Sequence, residues 1–242
     1  MSVQITTAFV EQYKANVLHL AQQKGSRLRD AVRTETVTGK SHFFERIGST
    51  AAQKRTSRHS DTPRMDTPHS RRKVSMDDYD WADLIDNEDK VRLLISPQSE
   101  YAMAGAWAMG RAMDDAIIAA ATGTAYSGVA GGTSVSLPSG QKVAHASGGL
   151  TVAKLISAKE ILDANDVDPD EPRFLVCSAG QIADLLAITQ ITSADYNSVK
   201  ALASGQIDTF LGFKFIRSQR LGTDSTPSRQ CLAFTKSAIG LA

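Results

Sequence analysis

The sequence predicts an α+β fold. Three features carry that prediction: a long uninterrupted helix near mid-chain, an extended charged hairpin before it, and short helices alternating with apolar strands after it. The helix is the clearest. From Ser96 to Ala125 the chain is dominated by Ala and Met, both strong helix formers, and no Pro or β-branched cluster interrupts Glu100 to Met113. Ser96 and Pro97 give a start signal, Glu100 sits in the first turn, and Gly123 closes the far end. A helix over 98–122 follows, roughly 37 Å long at 1.5 Å per residue. Met103, Trp107, Gly110, Met113 and Ile117 recur at three- and four-residue steps and predict its packing face. Its many small residues, Gly105 and Gly110 among them, predict close approach by other elements.

The hairpin rests on composition and charge. SHFFERIG (41–48) reads as a strand, and RRKVSMDDYDWADLI (71–85) as its antiparallel return. Between them lies a stretch almost without large apolar side chains and containing Pro63 and Pro68, so it cannot bury a core of its own and is expected to be a projecting loop or disordered in isolation. Lys54, Arg55, Arg58, Arg64, Arg71, Arg72 and Lys73 face only Asp61 and Asp66 there. An acidic block follows at once: Asp77, Asp78, Asp80, Asp83, Asp86, Glu88 and Asp89. In an extended hairpin the two blocks cannot both pair locally. Three readings compete: phosphate contact with nucleic acid, a plain solvated loop, or pairing with the opposite block of another copy. The adjacency of the two signs favours the third, and the lack of aromatic residues at the tip argues against base stacking.

The rest follows in chain order. TAFVEQYKANVLHLAQQK (7–24) is an amphipathic helical pattern ending at Gly25. Residues 26–39, with sparse apolar positions at Leu28, Val32 and Val37, read as arm more than core. After the long helix, 126–149 is a Gly/Ser-rich loop with room for a small hairpin. Thr151–Ala164 predicts a helix and RFLVC (173–177) a buried strand. Ser178 caps a helix over AGQIADLLA, and another is expected over 194–203. GFKFIRSQRL (212–221) alternates as a strand, and CLAFTKSAIGLA ends the chain in a strand-like apolar run that a further segment or a neighbour is expected to complete.

Bulk composition bounds the function classes. The 242 residues carry a net charge of +1, with 42% hydrophobic and 22% charged residues, as expected of a chain with a real core. Overall charge therefore points to no partner. Cys177 and Cys231 stand apart, which fits a reducing compartment. Neither a signal peptide nor an apolar run of about 18 residues is visible, so a soluble protein made in the cytoplasm, without membrane contact, is expected.

Chemical motifs fail on inspection. Gly39-Lys40-Ser41 ends like a phosphate-binding loop, but Thr34 stands where its first Gly is needed. Ser139 and Lys142 match S-x-x-K outside any helix start. Asp166, Asp168 and Asp170 begin like a calcium loop, yet Glu171 and Cys177 occupy the obligatory Gly and Glu positions. The histidines show no metal-ligand spacing, and Asp78-Tyr79-Asp80 reads as an acidic face. No catalytic residue, metal or cofactor is expected.

The order of these elements resembles that of tailed-bacteriophage major capsid proteins. The residues that carry the resemblance are YKANVLHLAQQKGSRLRDAV (13–32), GKSHFFERIG (39–48), DWADLIDNEDKVRLLISPQSEYAMAGAWAMGRAMDDAIIAA (80–120) and SGQIDTFLGFKFIRSQRL (204–221). It implies the tailed-phage major capsid fold: an N-terminal arm (1–38), an extended E-loop (39–85), a peripheral domain (86–149) with a spine helix (98–122), an axial domain (150–225), and a strand (226–242) returning toward the peripheral domain. It further implies hexamers and pentamers closing into an icosahedral shell around double-stranded DNA, built in the host cytoplasm, with portal, scaffolding or decoration proteins as further partners. The E-loop would then lie over the adjacent subunit, and charge reversal at Arg71, Arg72 and Lys73 should block the shell while sparing the monomer fold. The alternative from another class is a nonspecific nucleic-acid-binding protein using the basic loop 54–73.

Overall fold

The computed structural model describes residues 22–58, 61–62, 64–83, 98–146, 148–188, 209–223 and 228–242. Along the chain these form a short 3-10 turn (Arg29–Ala31), β1 (Arg33–Thr34), β2 (Ser41–Ile47), β3 (His69–Ser75), α1 (Gln98–Thr122), β4 (Ala125–Ser127) and β5 (Thr133–Val135). A second 3-10 turn (Ser139–Gln141) precedes α2 (Val152–Ala164), β6 (Arg173–Cys177), α3 (Ala179–Leu186), β7 (Thr209–Phe210), β8 (Phe213–Arg217), β9 (Leu232–Thr235) and β10 (Gly240–Leu241). The chain divides into two compact units, Met1–Ser26 with Asp78–Met113, and Arg27–Asp77 with Asp114–Ala242. Most of the helical pattern at 7–24 and all of the helix expected at 194–203 lie outside the described residues.

In the first unit, the early turns of α1 are met by backbone and an indole. A Cβ placed on Gly110 would stand 2.5–2.6 Å from the main chain of Gly25 and Ser26, and one on Gly105 would stand 2.7 Å from the Trp81 ring. Glycine is what permits both approaches. Arg111 donates to the Gln22 side chain at 2.9 Å and to the Gln23 carbonyl at 3.1 Å, and the Lys24 ammonium lies 5.5 Å from the Trp107 ring centroid.

The second unit is built on the sheet β7-β8-β6-β9, with β6 central, parallel to β8 and antiparallel to β9. All five residues of β6 are buried, so both of its faces carry apolar side chains. Phe174 and Val176 join one core with Leu28, Val32, Ile117, Ile118 and Phe234. Leu175 and Cys177 join the other with Leu155, Ile182, Leu185 and Phe213. Both helices on that side are capped, the one at Ser178 as expected. Thr151 accepts from the Lys154 amide, and Ser178 with Gln181 forms a reciprocal capping box at the start of α3.

The stretch 26–39 corrects the sequence reading. Leu28, Ala31 and Val32 are at most 1% exposed and form part of the first core. They sit at three- and four-residue steps around one 3-10 turn, so three apolar residues in a polar string land on one face. The Gly/Ser-rich segment does form a hairpin, β4–β5, and it adds to the charged hairpin as a four-stranded sheet in the order β2-β3-β4-β5. The apolar ending pairs within the chain: β9 with β6, and β10 in parallel with β1. No described helix is long and apolar enough to cross a membrane.

Candidate inter-subunit surface

The charged hairpin is a ladder of seven residue pairs, from Ser41↔Ser75 to Ile47↔His69. The Gly48 amide donates to the Pro68 carbonyl at 2.8 Å and closes its outer end, and the Met76 amide donates to the Lys40 carbonyl at 3.3 Å at its root. Every described residue from Gly48 to Ser70 is exposed, Lys54, Arg55, Arg58 and Arg64 included. The tip therefore projects, as its composition requires.

The seven basic residues are divided between two settings. Arg71, Arg72 and Lys73 belong to β3, not to the tip. Arg71 pairs with Glu45 across the ladder at 2.9 Å, and its guanidinium lies 5.3 Å from the Phe43 ring centroid. Arg72 is paired with Phe44 on one side and Ser127 on the other. Lys73 stands between Phe43 and Tyr126 in register, and its side chain lies against Gly131. Reversing these three charges would place glutamate beside Glu45 and disturb the sheet itself, so that triple variant does not isolate contact between copies.

Of the acidic block, Asp77, Asp78, Asp80 and Asp83 are exposed. Asp86, Glu88 and Asp89 lie outside the described residues. Large apolar side chains, Tyr79 and Trp81, are exposed among these acids.

The expected face of the long helix is only partly the buried one. Gly110 and Ile117 are buried and Trp107 is half-buried, but Met103 and Met113 are 40% and 38% exposed. Among the described side chains of the helix, the buried positions are Gly105, Gly110, Asp114, Ile117 and Ile118. Hydrophobicity singled out the methionines, whereas backbone approach and a buried carboxylate fix the packed positions. Asp114 is wholly buried. Both its oxygens accept from the Arg27 amide at 3.1 Å, and Oδ1 also accepts from the Leu28 amide at 3.1 Å. Sequence reasoning missed this role. Its one visible sign is an acid four residues after Gly110 and three before Ile117, within the apolar stripe.

Several other polar groups among the described residues are engaged structurally. Asp115 pairs with Arg220. The Asp168 carboxylate accepts from the Asp170 amide at 2.9 Å, and Glu171 accepts from the Ser237 amide at 2.9 Å, which makes the acidic 166–171 run a turn. Lys154 donates to the carbonyls of His145, Gly148 and Gly149 at 2.6–2.7 Å and staples that loop to α2. Burial pushes the Cys177 thiol up to about 12 and the Cys231 thiol up to about 11, so both are neutral, weakly nucleophilic core groups. Among the described residues, no three His, Cys, Asp or Glu side chains are grouped to hold a metal ion. What the second unit offers a partner is a charged, projecting hairpin.

Comparison with known proteins gives one family model and a set of similar folds. The family model described as phage capsid protein matches residues 5–242. Among solved structures, the chain is similar to the capsid of the cyanophage P-SCSP1u at a TM-score of 0.69 and 21% identity, covering 98% of this chain and 80% of that one. It is similar to a structure from Mycobacterium phage Che8 at 0.67 and 19%, covering 96% and 82%. For the mature capsid of bacteriophage PhiM1 the values are 0.57 and 17%, covering 90% and 70%. A comparison with curated proteins found no match.

Proposed function

The chain belongs to the phage capsid protein family, and from that premise we propose that its copies join as hexamers and pentamers of an icosahedral shell through the charged hairpin. It is a structural major capsid protein of the virion with the tailed-phage capsid fold. We assign it no reaction. Double-stranded DNA is enclosed without sequence readout, the shell is built in the host cytoplasm, and portal, scaffolding or decoration proteins are its further partners. Neither the family nor the fold relatives support the alternative of a nonspecific nucleic-acid-binding protein.

One observation supports the hairpin's part in this: Lys54, Arg58 and Arg64 are exposed on a tip held out by a seven-pair ladder. The acidic segment around Asp78, Asp80 and Asp83 of another copy supplies the opposite sign. An exposed ion pair stabilises by only about 0.2–1 kcal/mol, but a closed shell repeats it at every lateral contact. Apolar burial at roughly 25 cal/mol per Å² supplies the bulk of each interface, and the charges set its register.

The test is Lys54→Glu with Arg58→Glu and Arg64→Glu in one chain, followed by sedimentation. The wild-type chain should give fast-sedimenting particles that weaken toward 1 M salt, where the screening length falls to about 3 Å. The variant should stay slow at every salt concentration while keeping its urea midpoint. Normal particles from the variant would remove the hairpin charges from the contact.

A further inference from the structure

We propose that Phe44 and Gly240 form a socket that sets the direction of the charged hairpin, and that both are positioning residues for the contact between copies; this rests on the hairpin's proposed role. Side chains alternate along β10. Ile239 and Leu241 pack against the first core, so Gly240 faces the other way. There it meets the middle of the hairpin's ladder, at Phe44. A Cβ on Gly240 would stand 2.7–3.0 Å from three carbons at the tip of the Phe44 ring. Only a glycine lets the ring sit there.

β1 completes the socket. It pairs with β10 in the register Arg33↔Gly240 and Thr34↔Leu241. The Arg33 amide donates to the Ile239 carbonyl at 3.1 Å, and the Glu35 amide to the Leu241 carbonyl at 3.0 Å. With Val32 in the core, Arg33 points outward and lays its guanidinium 5.6 Å from the Phe44 ring centroid. Glu35 pairs with Arg33 and lies 3.9 Å from the His42 ring nitrogen, while the His42 ring meets Phe44 edge-on at 5.6 Å. One aromatic ring of β2 thus meets Gly240 and Arg33, both anchored in the core through Val32, Ile239 and Leu241, while His42 flanks it from within β2. The hairpin beyond it carries the exposed tip, so a small rotation at Phe44 becomes a large displacement at Lys54. At about 3.4 Å per residue, the three steps from Phe44 to Ile47 carry the ladder roughly 10 Å beyond the ring before the exposed tip begins.

The experiment uses the full chain with Gly240→Ala, Phe44→Leu and the two together. Hydrogen exchange is read on unassembled protein at high salt, and particle yield at low salt. Gly240→Ala should speed exchange of the β2 and β3 amides roughly tenfold and leave those of β6 and α3 unchanged, with particle yield falling in parallel. Phe44→Leu removes the obstructing ring edge, so the double variant should exchange more slowly than Gly240→Ala alone, a reciprocal rescue that general destabilisation does not produce. If the alanine chain does not fold, Arg33→Gln adds no bulk and should loosen the same amides. Unchanged hairpin exchange, or faster exchange spread equally to β6, overturns the socket. Loosened hairpins with undiminished particles overturn the positioning role. The tip-reversed chain then locates the failure, in the hairpin contact itself if it also assembles, and in the socket alone if it does not.

Discussion

Gly110→Ala is expected to destabilise the protein by about 1–3 kcal/mol, read as a lower urea midpoint and a lower soluble yield. The sign is informative because two effects oppose each other. Alanine inside a helix is ordinarily favoured over glycine by roughly 0.5–1 kcal/mol. Here the added methyl would lie 2.5–2.6 Å from main-chain atoms of Gly25 and Ser26, which have no side-chain torsion to turn away on. Moving that backbone disturbs the segment Arg111 holds through Gln22 and Gln23. The clash should therefore outweigh the propensity gain, and Gly110→Leu should be worse still. Gly105→Ala provides the scale, because its obstacle is the edge of the Trp81 ring, which can shift. A Gly110→Ala chain as stable as wild type would show that the close approach contributes nothing.

Asp114→Ala is expected to cost more, about 3–5 kcal/mol, because it removes an acceptor from a place where water cannot substitute. The carboxylate is fully buried and holds the amides of Arg27 and Leu28. Without it, each stranded amide costs about 1–3 kcal/mol. Those amides open the 3-10 turn that carries Leu28, Ala31 and Val32 into the core, so loss of the acceptor should loosen the packing against Ile117 and Phe174 as well. Asp114→Asn keeps one acceptor oxygen and should fall between wild type and alanine. Urea titration of the three proteins decides this, and an alanine variant within about 0.5 kcal/mol of wild type would contradict the buried-anchor role.

What could be read beforehand was local. The helix at 98–122 is fixed by an unbroken run of helix formers, the capped start of α3 by Ser178, and β6 by four consecutive apolar residues, Phe174 to Cys177, that suit burial on both faces. The hairpin was legible because two strand patterns flank a segment with nothing to bury. What stayed hidden depends on residues far apart in the chain. Three apolar side chains in 26–39 look too sparse for a core until Ile117, Phe174 and Phe234 are brought against them. The addition of β4 to β3 joins segments separated by the whole long helix. On that helix, periodicity defined a stripe but did not reveal that a buried Asp and two glycines, rather than Met103 and Met113, mark the packed positions. Charge alone groups Arg71, Arg72 and Lys73 with the tip, because it gives no indication of where a turn begins.

Self-assembly of the chain is visible directly by electron microscopy of the purified protein at about 0.1 M salt. The account predicts closed shells or ring-shaped capsomers that dissolve or fail to form when Lys54, Arg58 and Arg64 are reversed. A field of single small particles at every concentration and salt, from protein that nonetheless retards DNA in a gel, would contradict it.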